Sequence, residues 1–84
     1  MELIVNIEKR LRDFTLAADF TLTDTTLALL GASGSGKSMT LKCIAGLERP
    51  DRGQIVLNGR TLYDSTKRID LPPQARSVGY LFQN

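Results

Sequence analysis

Eight consecutive residues, Gly31-Ala32-Ser33-Gly34-Ser35-Gly36-Lys37-Ser38, constrain this chain more than any other part of it. They match the pattern G-x-x-x-x-G-K-[ST]. Glycines at Gly31, Gly34 and Gly36 let the backbone turn sharply and come within hydrogen-bonding distance of an anion. Successive amide N–H groups then converge on phosphate oxygens, backed by the positive end of the helix that follows. Lys37 adds a full positive charge for β- and γ-phosphates, and the Ser38 hydroxyl is suited to a Mg²⁺ ion bridging them. By ordinary residue frequencies a random window fits this pattern roughly 4 times in 100,000. An incidental Gly/Ser loop next to a lysine is therefore a poor account of it, and the fold has to supply a strand before the loop and a helix after it.

The surrounding sequence meets that demand. Residues 26–30 carry Leu27, Ala28, Leu29 and Leu30 without alternation, as a strand buried on both faces does. Residues 37–45 switch to helical spacing, with Leu41, Ile44 and Ala45 as the apolar stripe. Gly46 is placed to end the helix in a left-handed conformation, and Pro50 prevents its resumption. Upstream, residues 2–8 read as a strand with Leu3, Val5 and Ile7 on one face. Phe14, Leu16, Ala18, Phe20 and Leu22 alternate with polar or small residues, the period of a sheet with one buried face. Downstream, Asp51-Arg52-Gly53 reads as a turn, and residues 54–57 and 60–63 as short strands joined at Asn58-Gly59, a strong hairpin signal. Leu71-Pro72-Pro73 is a rigid extended approach to one helical turn at Gln74-Ala75. Residues 77–83 close as an apolar strand with Val78, Tyr80, Leu81 and Phe82.

Composition narrows the classes further. A chain of 84 residues is one domain or part of one, and at that length it buries only roughly 60% of its unfolded surface. Eleven Lys and Arg against nine Asp and Glu leave a net charge of +2, and the basic residues are scattered. No nucleic-acid stripe is expected. The cluster Lys9, Arg10, Arg12 reads as a solvated strand end. Cys43 is the single cysteine, so no internal disulfide forms, and its place in the predicted helix makes it a small buried apolar residue. The absence of histidine excludes His-based acid–base chemistry within these residues. Residues 3–7 are too short for a signal sequence, interrupted by Asn6 and flanked by Glu2 and Glu8. No segment approaches the ~20 apolar residues of a membrane span, so no direct membrane insertion is expected, and a role at a membrane would come through a partner.

A phosphate loop alone does not distinguish kinases, GTPases, helicases and transport ATPases. The residues after it, Leu41-Lys42-Cys43-Ile44-Ala45-Gly46-Leu47, then Pro50-Asp51-Arg52-Gly53-Gln54-Ile55 and Asn58-Gly59, resemble the ATP-binding cassette (ABC) family of transport ATPases. Val78-Gly79-Tyr80-Leu81-Phe82-Gln83 resembles the strand leading into that family's Q-loop. The resemblance covers nearly all of the chain. It implies an α/β fold of the P-loop NTPase type, an N-terminal antiparallel β subdomain followed by the Walker A strand-loop-helix, with residues 1–84 forming the N-terminal part of one ATP-binding domain. It implies ATP and Mg²⁺ as ligands, with Gly31, Ser33, Gly34, Ser35, Gly36, Lys37, Ser38 and Met39 against the nucleotide. Ser38 and Gln83 would stand at the metal, and Gln83 would act on the γ-phosphate and attacking water and relay nucleotide state. An adenine-stacking aromatic is usual upstream in this family, and Phe14 is the only aromatic near that place; its row with Leu16 and Phe20 argues equally for burial under the sheet.

Leu62-Tyr63-Asp64-Ser65, Ile69-Asp70-Leu71-Pro72-Pro73 and Arg76 look most like bacterial importer ATPases of the molybdate type. The partners so implied are a transmembrane permease and a second cassette, in a cytoplasmic protein peripheral to the membrane. The family's signature sequence, Walker B carboxylates and switch histidine lie beyond Gln83. The expectations are therefore an incomplete domain, negligible hydrolysis by these 84 residues alone and an aggregation-prone P-loop half. Two rivals stay open: an ATP-binding module that never hydrolyses, and another P-loop kinase or GTPase, to which residues 55–82 give little support.

Overall fold

The computed structural model describes residues 2–23 and 35–78. The expected strand over residues 26–30, the loop glycines Gly31 and Gly34, Ser33, and the closing segment with Gln83 lie outside the described residues. Two strands open the chain, β1 (Leu3–Arg10) and β2 (Thr15–Leu22). Helix α1 (Ser35–Ala45) follows, then β3 (Arg52–Leu57), β4 (Arg60–Asp64), β5 (Ile69–Asp70) and the single turn α2 (Pro73–Arg76). The strands form one sheet in the order β2-β1-β3-β4-β5, and every pairing is antiparallel.

The alternation in β1 decides which face is inside. Leu3, Val5 and Ile7 stand opposite Leu22, Phe20 and Ala18 of β2 on one side, and opposite Leu57, Ile55 and Gly53 of β3 on the other. Leu3, Val5 and Ile7 are buried there, together with Ile55, Leu57, Leu62, Tyr63, Val78 and the α1 residues Cys43 and Ile44. One face of the sheet thus packs under α1 and α2, as expected for an antiparallel sheet. The helix stripe is displaced from expectation. Thr40, Cys43 and Ile44 are buried, Met39 and Ala45 pack beside the core, and Leu41 is only half-buried.

Local chemistry sets the connections. Asn58 and Gly59 both adopt positive φ, 53° and 80°, the two-residue turn whose twist matches its strands. Asn58 also ties this hairpin to the start of β1, because the Glu2 N–H donates to Asn58 Oδ1 and the Asn58 N–H donates to the Glu2 carbonyl. In β4 the register slips, Ile55 pairing with Tyr63 but Val56 with Thr61, so Leu62 is an extra residue. This bulge is why Leu62, Tyr63 and Asp64 are buried in succession, which strict alternation forbids.

Two expectations are corrected and one strand is new. Gly53 is not in a turn before the strand but inside β3. Strand β5 carried no signal of its own; Asp64 creates it by accepting the N–H groups of Thr66 and Lys67, which turns the chain back. Lys9 is not solvated: its side chain is only 16% exposed, and its Nζ donates to the Arg49 carbonyl beside Glu48. Its neighbours Arg10 and Arg12 are exposed, as expected.

Candidate functional site

Helix α1 begins at Ser35, inside the motif, so Ser35, Gly36, Lys37 and Ser38 form its first turn. The N–H groups of that turn have no partner within the helix and point along its axis. No acidic residue stands in the turn, so the turn itself sets no carboxylate against an incoming anion at the positive helix end. Ser38 is exposed, leaving its hydroxyl free to reach solvent-borne ligands. Met39 differs from its neighbours. Its side chain is half-buried against the core. A polyphosphate with its divalent cation fits this turn: a helix N-terminus, one exposed hydroxyl and no acidic residue in the turn itself.

Phe14 is 39% exposed, which overturns its reading as a core residue. It lies in the loop between β1 and β2, where its carbonyl accepts the Leu11 N–H, and β2 starts only at Thr15. Phe20, by contrast, packs against the core. Among the described residues no group of His, Cys, Asp and Glu could hold a metal ion by itself. No helix among them is long and apolar enough to cross a membrane.

The other end of α1 is held more elaborately than the sequence signalled. Gly46 has φ 88°, the Leu47 N–H donates to the Lys42 carbonyl and the Gly46 N–H to that of Cys43, a left-handed cap of the kind expected for glycine. Arg76, only 1% exposed, donates from one terminal nitrogen to the carbonyls of Cys43 and Ile44. A lone arginine after Pro-Pro gives no local hint of such burial; these two carbonyls are more than 30 residues away in sequence.

Cys43 is fully buried, and desolvation, foremost among the influences on it, pushes its thiol from an ordinary 9.0 to about 11. At pH 8 that lowers the thiolate population about a hundredfold. Iodoacetamide is expected to leave Cys43 unmodified in the folded protein and to alkylate it promptly in urea; equal rates in both states would contradict the burial. Above pH 9 the unfolded chain loses this proton first. The stabilisation from keeping the thiol neutral is therefore complete below pH 9 and is lost as pH rises toward 11.

The family model for the ABC transporter matches residues 17–84, and the chain belongs to that family. It is 44% identical over 79 residues to the molybdenum import ATP-binding protein ModC of Paramagnetospirillum magneticum, covering 94% of this chain and 22% of that protein. The ModC of Rhizobium johnstonii is 47% identical over 83 residues, with 99% of this chain and 23% of the relative covered. That of Aliivibrio fischeri is 40% identical over 83 residues, covering 98% and 23%. The chain thus spans under a quarter of the length of the curated relatives it matches.

Proposed function

We propose that residues 1–84 are the N-terminal part of the ATP-binding subunit of an ABC importer, one that couples ATP hydrolysis to uptake of molybdate or a related oxyanion. The observation that carries this reading is the first turn of α1: half of the phosphate motif lies on it, and that turn holds no acidic residue. The names of these relatives support the importer and its cargo.

In this reading the amides from Gly34 to Ser38 and the Lys37 ammonium bind the phosphates, Gly31 and Ser33 shape the loop, and Ser38 and Gln83 stand at the metal. Mg²⁺, when bound, bridges the β- and γ-phosphates and neutralises charge on them. Gln83 senses the γ-phosphate, and Phe14, exposed as stacking requires, offers its ring to adenine. The subunit works at the inner face of the membrane, held there by a transmembrane permease and paired with a second copy of its cassette.

The test uses the complete gene product. Lys37→Ala is expected to weaken Mg·ATP binding ten- to a hundredfold, the worth of about 1.5–3 kcal/mol for a hydrogen bond to a charged group. Binding unchanged by Lys37→Ala would sink the assignment, and a preference for GTP would move it to another class of P-loop protein. The 84-residue chain alone is expected to hydrolyse ATP no faster than background.

A further inference from the structure

A seam of polar contacts stitches the end of β1 to the connection that follows α1. Lys9 Nζ donates to the Arg49 carbonyl at 2.7 Å and stands 3.8 Å from Glu48 Oε1. Beside it the Asp51 N–H donates to the Glu8 carbonyl at 2.8 Å, and Asp51 Oδ2 accepts the Arg10 N–H at 2.7 Å. Lys9 and Arg49 lie 40 residues apart in sequence.

Both sides of the seam are stiff. On one side the Lys42 carbonyl, in the last turn of α1, accepts the N–H groups of Leu47 and Glu48, so the connection is fastened to the helix. The Tyr63 hydroxyl holds the same connection at the Pro50 carbonyl. On the other side Arg10 pairs with Thr15 and the Leu11 N–H donates to the Phe14 carbonyl, leaving only Arg12 and Asp13 at the hairpin tip. Phe14 therefore moves with the end of β1, and the connection moves with α1.

Stability alone explains Lys9 poorly. Its ion pair with Glu48 is long and partly exposed, of the kind that contributes little, and ordering a lysine costs rotamer entropy. The core under the sheet is built without it. What Lys9 supplies is a charged donor, reaching from a sheet residue to one backbone oxygen, that fixes where the hairpin end stands relative to the helix. Asp51 does the same in the opposite sense, with a carboxylate on a β1 amide. Helix α1 is an 11-residue rod, about 16 Å long, so a small tilt at its held end becomes a larger displacement at its first turn.

In the nucleotide reading that first turn holds the phosphates and Phe14 holds the base. We propose that Lys9, with Asp51, is a positioning residue that sets Phe14 against the first turn of α1, so that a base and its phosphates are gripped together. This rests on the reading of Phe14 at adenine given above.

Binding of Mg·ATP and of Mg·tripolyphosphate to the complete gene product tests it, because the ratio of the two affinities reports the grip on the nucleoside alone. In the unmodified protein ATP is expected to bind more tightly, and Phe14→Ala to lower the ratio about tenfold, as loss of a base-stacking ring does. Lys9→Met keeps the apolar stem and removes the charged donor. It is expected to lower the ratio about fivefold or more, with tripolyphosphate affinity kept within about twofold. Added to Phe14→Ala it is expected to lower the ratio no further, because the ring it places is gone. Equal weakening of both ligands overturns the proposal and makes Lys9 a support of the fold. An unchanged ratio, or a full second loss in the double variant, overturns it as well. If Lys9→Met does not fold, Asp51→Ala, which releases the Arg10 N–H on the other side of the seam, decides by the same ratio. A Phe14→Ala protein with the parent ratio refutes the adenine reading beneath; a ratio lowered by Phe14→Ala but not by Lys9→Met refutes the positioning alone.

Discussion

Gly53→Ala is expected to destabilise the protein by at least about 4 kcal/mol and to part β3 from β1. Gly53 has φ 122°, a conformation that L side chains rarely adopt, and it stands opposite Ile7 in the middle of the sheet. An added Cβ would overlap the Asn6 carbonyl oxygen and lie 2.6 Å from Ile7 Cα. Both obstacles are backbone, so no rotamer change relieves them. The glycine lets β1 and β3 approach closely, and next to it Arg52 grips Glu8 with two hydrogen bonds of 2.9 Å that mark the register on the exposed face. Urea unfolding and hydrogen exchange of the β1 and β3 amides would measure the effect. A midpoint within about 1 kcal/mol of the parent would show that the sheet absorbs the methyl group, contrary to this argument.

Ile55→Ala is expected to cost about 3–4 kcal/mol, against about 1 kcal/mol for Ile55→Val. Ile55 is fully buried, faces Val5 on one side and Tyr63 on the other, and sits where the β4 bulge begins. The bulge, the Tyr63 hydroxyl donating to the Pro50 carbonyl at 2.9 Å and the buried Cys43–Ile44 face of α1 all limit collapse into the vacancy. The graded pair is the measurement: equal losses for Ala and Val would mean that lost volume is not what the site responds to.

Much of this arrangement was legible from local pattern. Alternation marked Leu3, Val5 and Ile7 as one face, Asn58-Gly59 marked the hairpin, Gly46 marked the end of α1, and Pro72-Pro73 marked α2, because each is decided by residues within a turn of one another. The motif from Gly31 to Ser38 was legible for the same reason. What escaped was decided across the chain. Asp51-Arg52-Gly53 has turn composition, but pairing with Asn6 and Ile7 makes Gly53 a strand residue. Lys9 belongs to a basic cluster, yet the end of the α1 connection offers its carbonyl to it. Phe14 continues an apolar row, yet hydrogen bonding in the β1–β2 loop leaves it outside the strand and exposed. Arg76 stood among residues noted only for resemblance, and its burial depends on the distant end of α1.

The place of β1 between β2 and β3 has a consequence during synthesis. Strand β2 ends at Leu22 and β3 begins at Arg52, so about 30 residues, α1 among them, emerge between the two partners of β1. At the usual 5–20 residues per second this delay lasts about 1.5–6 s. Throughout it, the second edge of β1 and the apolar row Leu3, Val5 and Ile7 have no β3 to cover them. A bare strand edge beside an apolar face invites pairing with other chains. The motif from Gly31 to Ser38 is thus translated inside that unsheltered interval, and the seam that Gly53 closes is what ends it.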